Sequence, residues 1–292
     1  MDLLAAICEI GMVHTIPQGM QPGSDTANLS VLGYDPAICY SGRSPLEALS
    51  IGVDMQETDV ALRMNFVTLS EEEEYYETRR ILDHSSGEIT TEEAAELLEA
   101  VRKEFQSETY RFYVGTGYRH LLIWDPGQVQ ELTAPHDVLG QSIGQYLPAD
   151  KELCRMMRAS YDILVHHPIN QERRRKGLKP ANSCCFWGAG TKPALPSFYE
   201  KYHLKGAVVS AVDLLKGIAV GASMKVARVE GANGGLDTNY EGKARAAVDI
   251  LTKEDYDFVY VHVEAPDEMG HQGDMQKKVQ AIEHVDKRVI AP

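Results

Sequence analysis

Two textures of apolar spacing divide the chain. From about residue 171 onward, short apolar runs alternate with stretches of helical period. Ser183 to Trp187, Gly206 to Ser210, Lys225 to Val229 and Tyr256 to Val263 read as strands. Ser197 to Tyr202, Val212 to Ala219 and Gly242 to Leu251 read as helices between them. Strand and helix in alternation predict parallel strands joined by right-handed crossovers. The run from Tyr256 to Val263 is dense in Val and aromatics, the pattern of a strand buried on both faces. Pro266 ends it, because proline has no N–H for the ladder. The first 54 residues have a related texture. Residues 2 to 10 carry a helical period ending at Gly11, and Met12 to Ile16 reads as a short strand. A Pro- and Gly-rich loop then leads into a helix that Ser24 or Asp25 can cap. In the next helix Ser44, Pro45 and Glu47 have the spacing of a capping box.

The middle of the chain differs. Val60 to Leu69 is a long strand pattern, Thr90 to Glu104 an amphipathic helix with its own cap, and Tyr110 to Val114 with His120 to Trp124 a hairpin around Gly115 and Gly117. A further helix covers 150 to 166. Strand, helix, paired strands, helix is the order of a small α+β unit. The expected organisation is an α/β core made of 1–54 and 171–292, interrupted by an inserted unit over 55–170.

Composition narrows the function. The chain has 292 residues, 43% of them hydrophobic, enough for a large core. A formal charge of −14 argues against a general nucleic-acid or membrane-surface binder. Five scattered cysteines, Cys8, Cys39, Cys154, Cys184 and Cys185, form no CxxC pair and read as reduced thiols of a cytoplasmic protein. No signal peptide and no run of membrane-spanning length is present.

Three stretches carry candidate chemistry. Asp267 and His271 are four residues apart just past the last strand. On a helical turn they share a face, and a carboxylate beside an imidazole suits a divalent ion. Open α/β sheets bind ligands at that end of their strands. A solvated loop with an acidic cap explains the pair equally well. Ser24 at a helix start is ordinarily a cap, yet it is also where a phosphate is best held. The cluster Arg173-Arg174-Arg175-Lys176 reads first as solvated surface, with one or two Arg able to clamp a phosphate or carboxylate.

Taken in order, Pro22-Gly-Ser-Asp-Thr-Ala-Asn-Leu-Ser, Gly42-Arg-Ser-Pro-Leu-Glu, Ala61-Leu-Arg-Met-Asn-Phe-Val, Asp83-His-Ser-Ser-Gly, Tyr118-Arg-His, Pro135-His-Asp, Lys192-Pro-Ala-Leu-Pro, Leu236-Asp-Thr-Asn-Tyr-Glu-Gly-Lys and His262-Val-Glu-Ala-Pro-Asp-Glu-Met-Gly-His resemble the cofactor-independent phosphoglycerate mutases of the archaeal type. These belong to the alkaline phosphatase superfamily. The likeness spans nearly the whole chain. It implies an alkaline-phosphatase-like, mostly parallel sheet flanked by helices, with an inserted smaller α+β domain. It implies interconversion of 2- and 3-phosphoglycerate, with Ser24 as the nucleophile that is phosphorylated in mid-reaction. Two divalent ions are implied, Mn²⁺ or Mg²⁺ with Zn²⁺ as the alternative, and no bisphosphoglycerate. Asp267 and His271 would bind one ion and Ser24 would lie on the other. Arg63, His84, Arg119, His136 and Asp137 would hold the glycerate and its phosphate, with Lys192 a further phosphate contact.

The family begins one strand earlier, with an Asp-Gly-Met segment, and continues past this C-terminus with further Asp and His ligands. The expectation is therefore a chain truncated at both ends. Two other readings stay open: a homoserine kinase-like phosphotransferase, and a non-catalytic truncated fragment. The expected partner is a small phosphorylated acid, with neither nucleic acid nor membrane.

Overall fold

The structure is a computed structural model that describes every residue except Gln21. In chain order its elements are α1 (Asp2–Ile7), α2 (Ser24–Val31), α3 (Pro36–Cys39), α4 (Arg43–Ser50), β1 (Val60–Leu69), β2 (Ile81–Asp83), α5 (Thr91–Phe105), β3 (Tyr110–Thr116), β4 (Arg119–Trp124), α6 (Lys151–Leu164), α7 (Pro168–Arg175) and β5 (Ser183–Thr191). There follow α8 (Phe198–Tyr202), β6 (Gly206–Val209), α9 (Asp213–Gly221), β7 (Lys225–Ala227), α10 (Tyr240–Lys253), β8 (Phe258–Val261), α11 (Ala265–His271) and α12 (Met275–Val285). No helix among the described residues is long and apolar enough to cross a membrane.

The chain is a mixed α/β protein of two compact units. The first gathers Met1–Tyr40, Leu49–Val53 and Pro193–Pro292. Its sheet is parallel, in the order β7-β6-β8, with Val208 opposite both Val226 and Tyr260. α9 packs on β6 and β7, and α10 on β6 and β8. Ala207, Val209, Ala227 and Ile250 form the buried centre. These strands are short and rich in small and β-branched residues, which suits strands covered on both faces. β8 departs from that expectation. All four of its residues are only half-buried, because among the described residues only β6 pairs with it.

The second unit gathers Ser41–Ala48 and Asp54–Lys192. Its five-stranded sheet is antiparallel and is built around β1, which pairs with β2, β4 and β5. Every residue of β1 is buried. Leu62, Met64 and Phe66 point into a core shared with Leu97, Leu98 and Val101 of α5 and Met156 and Met157 of α6. Thr90 caps α5 and Asp150 caps α6 through their side-chain oxygens, supplying acceptors to the free N–H groups of the first turn.

Several expectations change here. A mostly parallel sheet was expected, but the larger sheet is antiparallel and the three-stranded sheet is parallel. β5, expected in the parallel set, instead pairs antiparallel with β1. The antiparallel unit runs to Lys192 and is about as large as the other. Met12 to Ile16 forms no strand. The capping box at Ser44 and Glu47 is not made. The Ser44 hydroxyl donates to the Gly188 carbonyl, and Glu47 takes Arg63. The basic cluster is engaged in holding the fold. Buried Arg173 bonds Glu93, the Ser86 carbonyl and the Lys179 carbonyl; Arg174 bonds Glu71 and Arg175 bonds Glu172.

Candidate active site

In the first unit the candidate residues lie on α2 and α11, and Asn28 ties α2 to β8. Gly23, not Ser24 or Asp25, is the residue that caps α2; Ser24 is the first helical residue. Ser24 is exposed, and its hydroxyl makes no hydrogen bond among the described residues. The Asp25 carboxylate is drawn sideways, accepting from its neighbour Thr26 N–H at 2.8 Å and from the Tyr40 hydroxyl. Asn28 links the serine's turn to the sheet. Its amide donates to the Ser24 carbonyl at 2.7 Å, and its side-chain oxygen accepts from the Tyr260 hydroxyl of β8 at 2.7 Å.

Beyond β8, α11 carries Asp267 and His271 on one face, with His271 Nε2 3.3 Å from Asp267 Oδ2. Both are largely exposed. The pair has the donor chemistry of two ligands to a divalent ion. Among the described residues, however, no third His, Cys, Asp or Glu joins them. The turn before α11 is clamped from below by Lys243 of α10. This lysine is fully buried, and its ammonium lies 3.3 Å from the His262 carbonyl and 3.5 Å from the Asn233 carbonyl. Burial pulls its pKa down, and the nearby Glu264 carboxylate opposes the fall. His262, 3.4 Å from the Ser210 hydroxyl, is also pulled down, by burial first and then by the charge of Lys243, against the pull of Asp267.

In the second unit four of the expected residues come together. Residues opposite one another on antiparallel strands share a face. Arg63 of β1 faces Trp187 of β5, and Asn65 faces Arg119 of β4. The Arg63 guanidinium lies over the Trp187 ring at 4.6 Å. Its Nε donates to Glu47 Oε2 at 2.7 Å, and Nη2 donates to Oε1 of the same carboxylate. His136 stands edge-on to Trp187 at 5.2 Å and to His84 at 5.9 Å. His84 in turn stands edge-on to Tyr118 at 5.8 Å, and the Arg119 guanidinium lies 5.4 Å from the Tyr118 ring.

One expected residue stands at the rim of this cluster and another apart from it. Asp137 turns to His136 at 3.7 Å with its carboxylate mostly in solvent. Lys192 follows the end of β5 and pairs with Glu57 at 3.3 Å. His120, next to Arg119, is a core residue. Burial, helped by Arg102, pushes it down to about 3, so its imidazole is neutral at pH 7. The serine–glycine loop carrying His84 is anchored by Asp83. Burial works against this carboxylate, but the Lys179 ammonium, the Ser85 N–H and hydroxyl and the Gly87 N–H outweigh it and hold its pKa well below the usual range.

Sequence reasoning passed over Trp187, Asn65, Glu47 and Lys243 as functional groups. Trp187 followed by Gly188 in a strand was a signal, since an isolated glycine there marks a bulge.

With this geometry in view, residues 5–170 match the family described as 2,3-bisphosphoglycerate-independent phosphoglycerate mutase. The enzyme of that description from Methanosarcina barkeri is 50% identical over 297 residues, covering 100% of this chain and 72% of the relative. The chain belongs to the 2,3-bisphosphoglycerate-independent phosphoglycerate mutase family. A probable member from Geobacter sulfurreducens is 48% identical over 299 residues, covering 100% of this chain and 73% of its own. Among solved structures, a protein from Pyrococcus horikoshii superposes with a TM-score of 0.73 at 31% identity, over 94% of this chain and 65% of that one. A cofactor-independent phosphoglycerate mutase from Thermoplasma acidophilum does so with a TM-score of 0.58 at 29% identity, over 91% of this chain and 72% of that one. The family's reaction is the interconversion of 2- and 3-phosphoglycerate, and its name excludes a bisphosphoglycerate cofactor.

Proposed function

We propose that this mutase passes the phosphoryl group of its substrate through Ser24. The observation that supports this most is the condition of that serine. It is exposed at the first turn of α2, its hydroxyl is not consumed by a cap, and Asn28 ties its turn to β8. Attack by Ser24 Oγ on phosphorus forms the Oγ–P bond and breaks the bond to the substrate's ester oxygen, which takes up the proton the serine gives up and leaves as a hydroxyl; the second transfer returns a proton to Ser24. The other hydroxyl of the glycerate then attacks the phosphoserine and frees Ser24. The first turn of α2 favours the doubly charged phosphate, because its unpaired N–H groups and the helix dipole point at it.

Asp267 and His271 are assigned as two ligands of a divalent ion, Mn²⁺ or Mg²⁺. Such an ion, when bound, lowers the pKa of a hydroxyl and screens phosphoryl oxygens. The pair alone is not a complete centre, so no step is derived through it. Arg63, Arg119, His84 and His136 are assigned to the carboxylate and phosphate of the acid, with Asp137 orienting His136 and Lys192 a further phosphate contact. Guanidinium groups suit both anions because their fork matches two oxygens at once. The same reading makes the protein a cytoplasmic enzyme of glycolysis.

The test is conversion of 3-phosphoglycerate to 2-phosphoglycerate in Mn²⁺ without bisphosphoglycerate. Ser24→Ala is expected to lose at least roughly a thousandfold in kcat with an unchanged circular dichroism spectrum, the scale seen when a nucleophile is removed. A Ser24→Ala variant that keeps the parent's rate would sink the reading.

A further inference from the structure

We propose that Trp187 is the positioning residue of the acid-binding cluster: its indole holds the Arg63 guanidinium and the His136 imidazole in the arrangement that receives the substrate's anionic groups. The inference rests on the reading of that cluster as the acid-binding part of the mutase.

Three observations carry it. The first is the environment of Arg63, which is buried to 7% exposure. Glu47 takes one edge of the guanidinium, through Nε and Nη2, and Trp187 lies against one face at 4.6 Å. Nη1 is left without a hydrogen bond among the described residues. Edge and face together fix the plane of the group, so the free donor points in one direction only. Glu47 also neutralises much of the charge, which makes orientation, rather than bulk attraction, what Arg63 contributes.

The second is the fixing of the indole itself. Trp187 Nε1 donates to Asn65 Oδ1 at 3.1 Å, and the Asn65 amide donates to the His84 carbonyl at 3.4 Å. The ring therefore connects the Arg63 position to the backbone that carries His84, while its edge meets His136 at 5.2 Å.

The third is a bulge. Between the pairs Ala61–Gly190 and Arg63–Trp187, β5 contains one residue more than β1. Gly188 takes φ +65 there, and its carbonyl accepts from the Ser44 hydroxyl. Bulges of this kind re-aim a side chain beside a functional site. Here the side chain aimed is Trp187, over Arg63.

The test uses the indole as both subject and reporter. In a Trp124→Phe background Trp187 is the remaining tryptophan, since the chain has two. Titration with 3-phosphoglycerate is expected to change its fluorescence saturably. Trp187→Ala is expected to raise KM by roughly 10-fold, the order produced by removing a cation–π interaction from a desolvated site, while kcat moves far less. Trp187→Phe keeps an aromatic face but loses the bond to Asn65, so it should rescue part of the KM. If Trp187→Ala does not fold, the Phe variant and the titration decide. An active parent whose Trp187 fluorescence ignores saturating substrate, or whose Trp187 variants keep its KM, overturns the inference and leaves the mutase reading standing. A parent inert on 3-phosphoglycerate overturns the mutase reading, and this inference with it.

Discussion

Single residues here are read by what already occupies them. Among the described residues the Ser24 hydroxyl has no hydrogen-bond partner, Gly23 taking the cap position, whereas Ser44, which has the same sequence look, spends its hydroxyl on Gly188. Glu47 was expected to complete a capping box and instead pairs with Arg63, a partner on another element that local spacing cannot reveal. Asp83 gives a testable consequence. Its folded pKa is depressed, so its contribution is fully present above the unfolded value of about 3.9 and is lost as pH falls from there toward the folded value. Urea midpoints of the parent protein should therefore fall steeply below about pH 4. Asp83→Asn should lower stability at pH 7 by about 1 kcal/mol, the cost of weakening a charged acceptor in a network partly screened by solvent. It should also flatten the acid limb. Parallel pH profiles for the two proteins would contradict this account of the loop carrying His84.

Elements were legible where one local pattern decided them. β1 was readable because Val60 to Leu69 is rich in apolar and β-branched residues, interrupted by Arg63, Asn65 and Thr68, and α5 because its Thr90 cap precedes a clear amphipathic period. β5 was found as a strand but assigned to the wrong sheet. A run such as Ser183 to Phe186 is buried either way, and its partner β1 lies over a hundred residues earlier. The bulge that Gly188 signals could not be placed from one strand alone, since register belongs to a pair of strands. Gly188→Ala tests its importance. A Cβ there would stand 3.1 Å from the Ser44 hydroxyl on a backbone with φ +65. The expected cost is about 1–3 kcal/mol from left-handed strain, read from the denaturation midpoint, with a rise in KM as Trp187 shifts. A variant with the parent's stability and KM would show that the bulge is incidental.

At the scale of the whole molecule, the ordered motifs identified the family because many weak matches in sequence agree. Periodicity separated a parallel texture from an α+β one, but it did not show that β5 belongs to the antiparallel sheet. The core around β1 lies wholly within Asp54–Lys192, and the cluster of Ala207, Val209, Ala227 and Ile250 lies wholly in the other unit. Separate cores imply separate cooperativity. Trp124 and Trp187 both belong to the antiparallel unit, so fluorescence follows that unit while far-ultraviolet circular dichroism follows both. In urea the two probes are expected to give different midpoints, and a coincident transition would contradict separate unfolding. The same division separates the assigned work. The serine and the Asp267–His271 pair stand in the unit with the parallel sheet, and the arginines and histidines assigned to the acid in the proposal stand in the other.

The central claim is that the phosphoryl group travels by way of Ser24, and one measurement meets it directly. The protein is mixed with 3-phosphoglycerate and Mn²⁺, quenched during turnover, digested and mapped by mass spectrometry. The account predicts phosphate on Ser24 in the mixed sample and none without substrate. Turnover to 2-phosphoglycerate with Ser24 unmodified throughout, and at the parent's rate in Ser24→Ala, would contradict it.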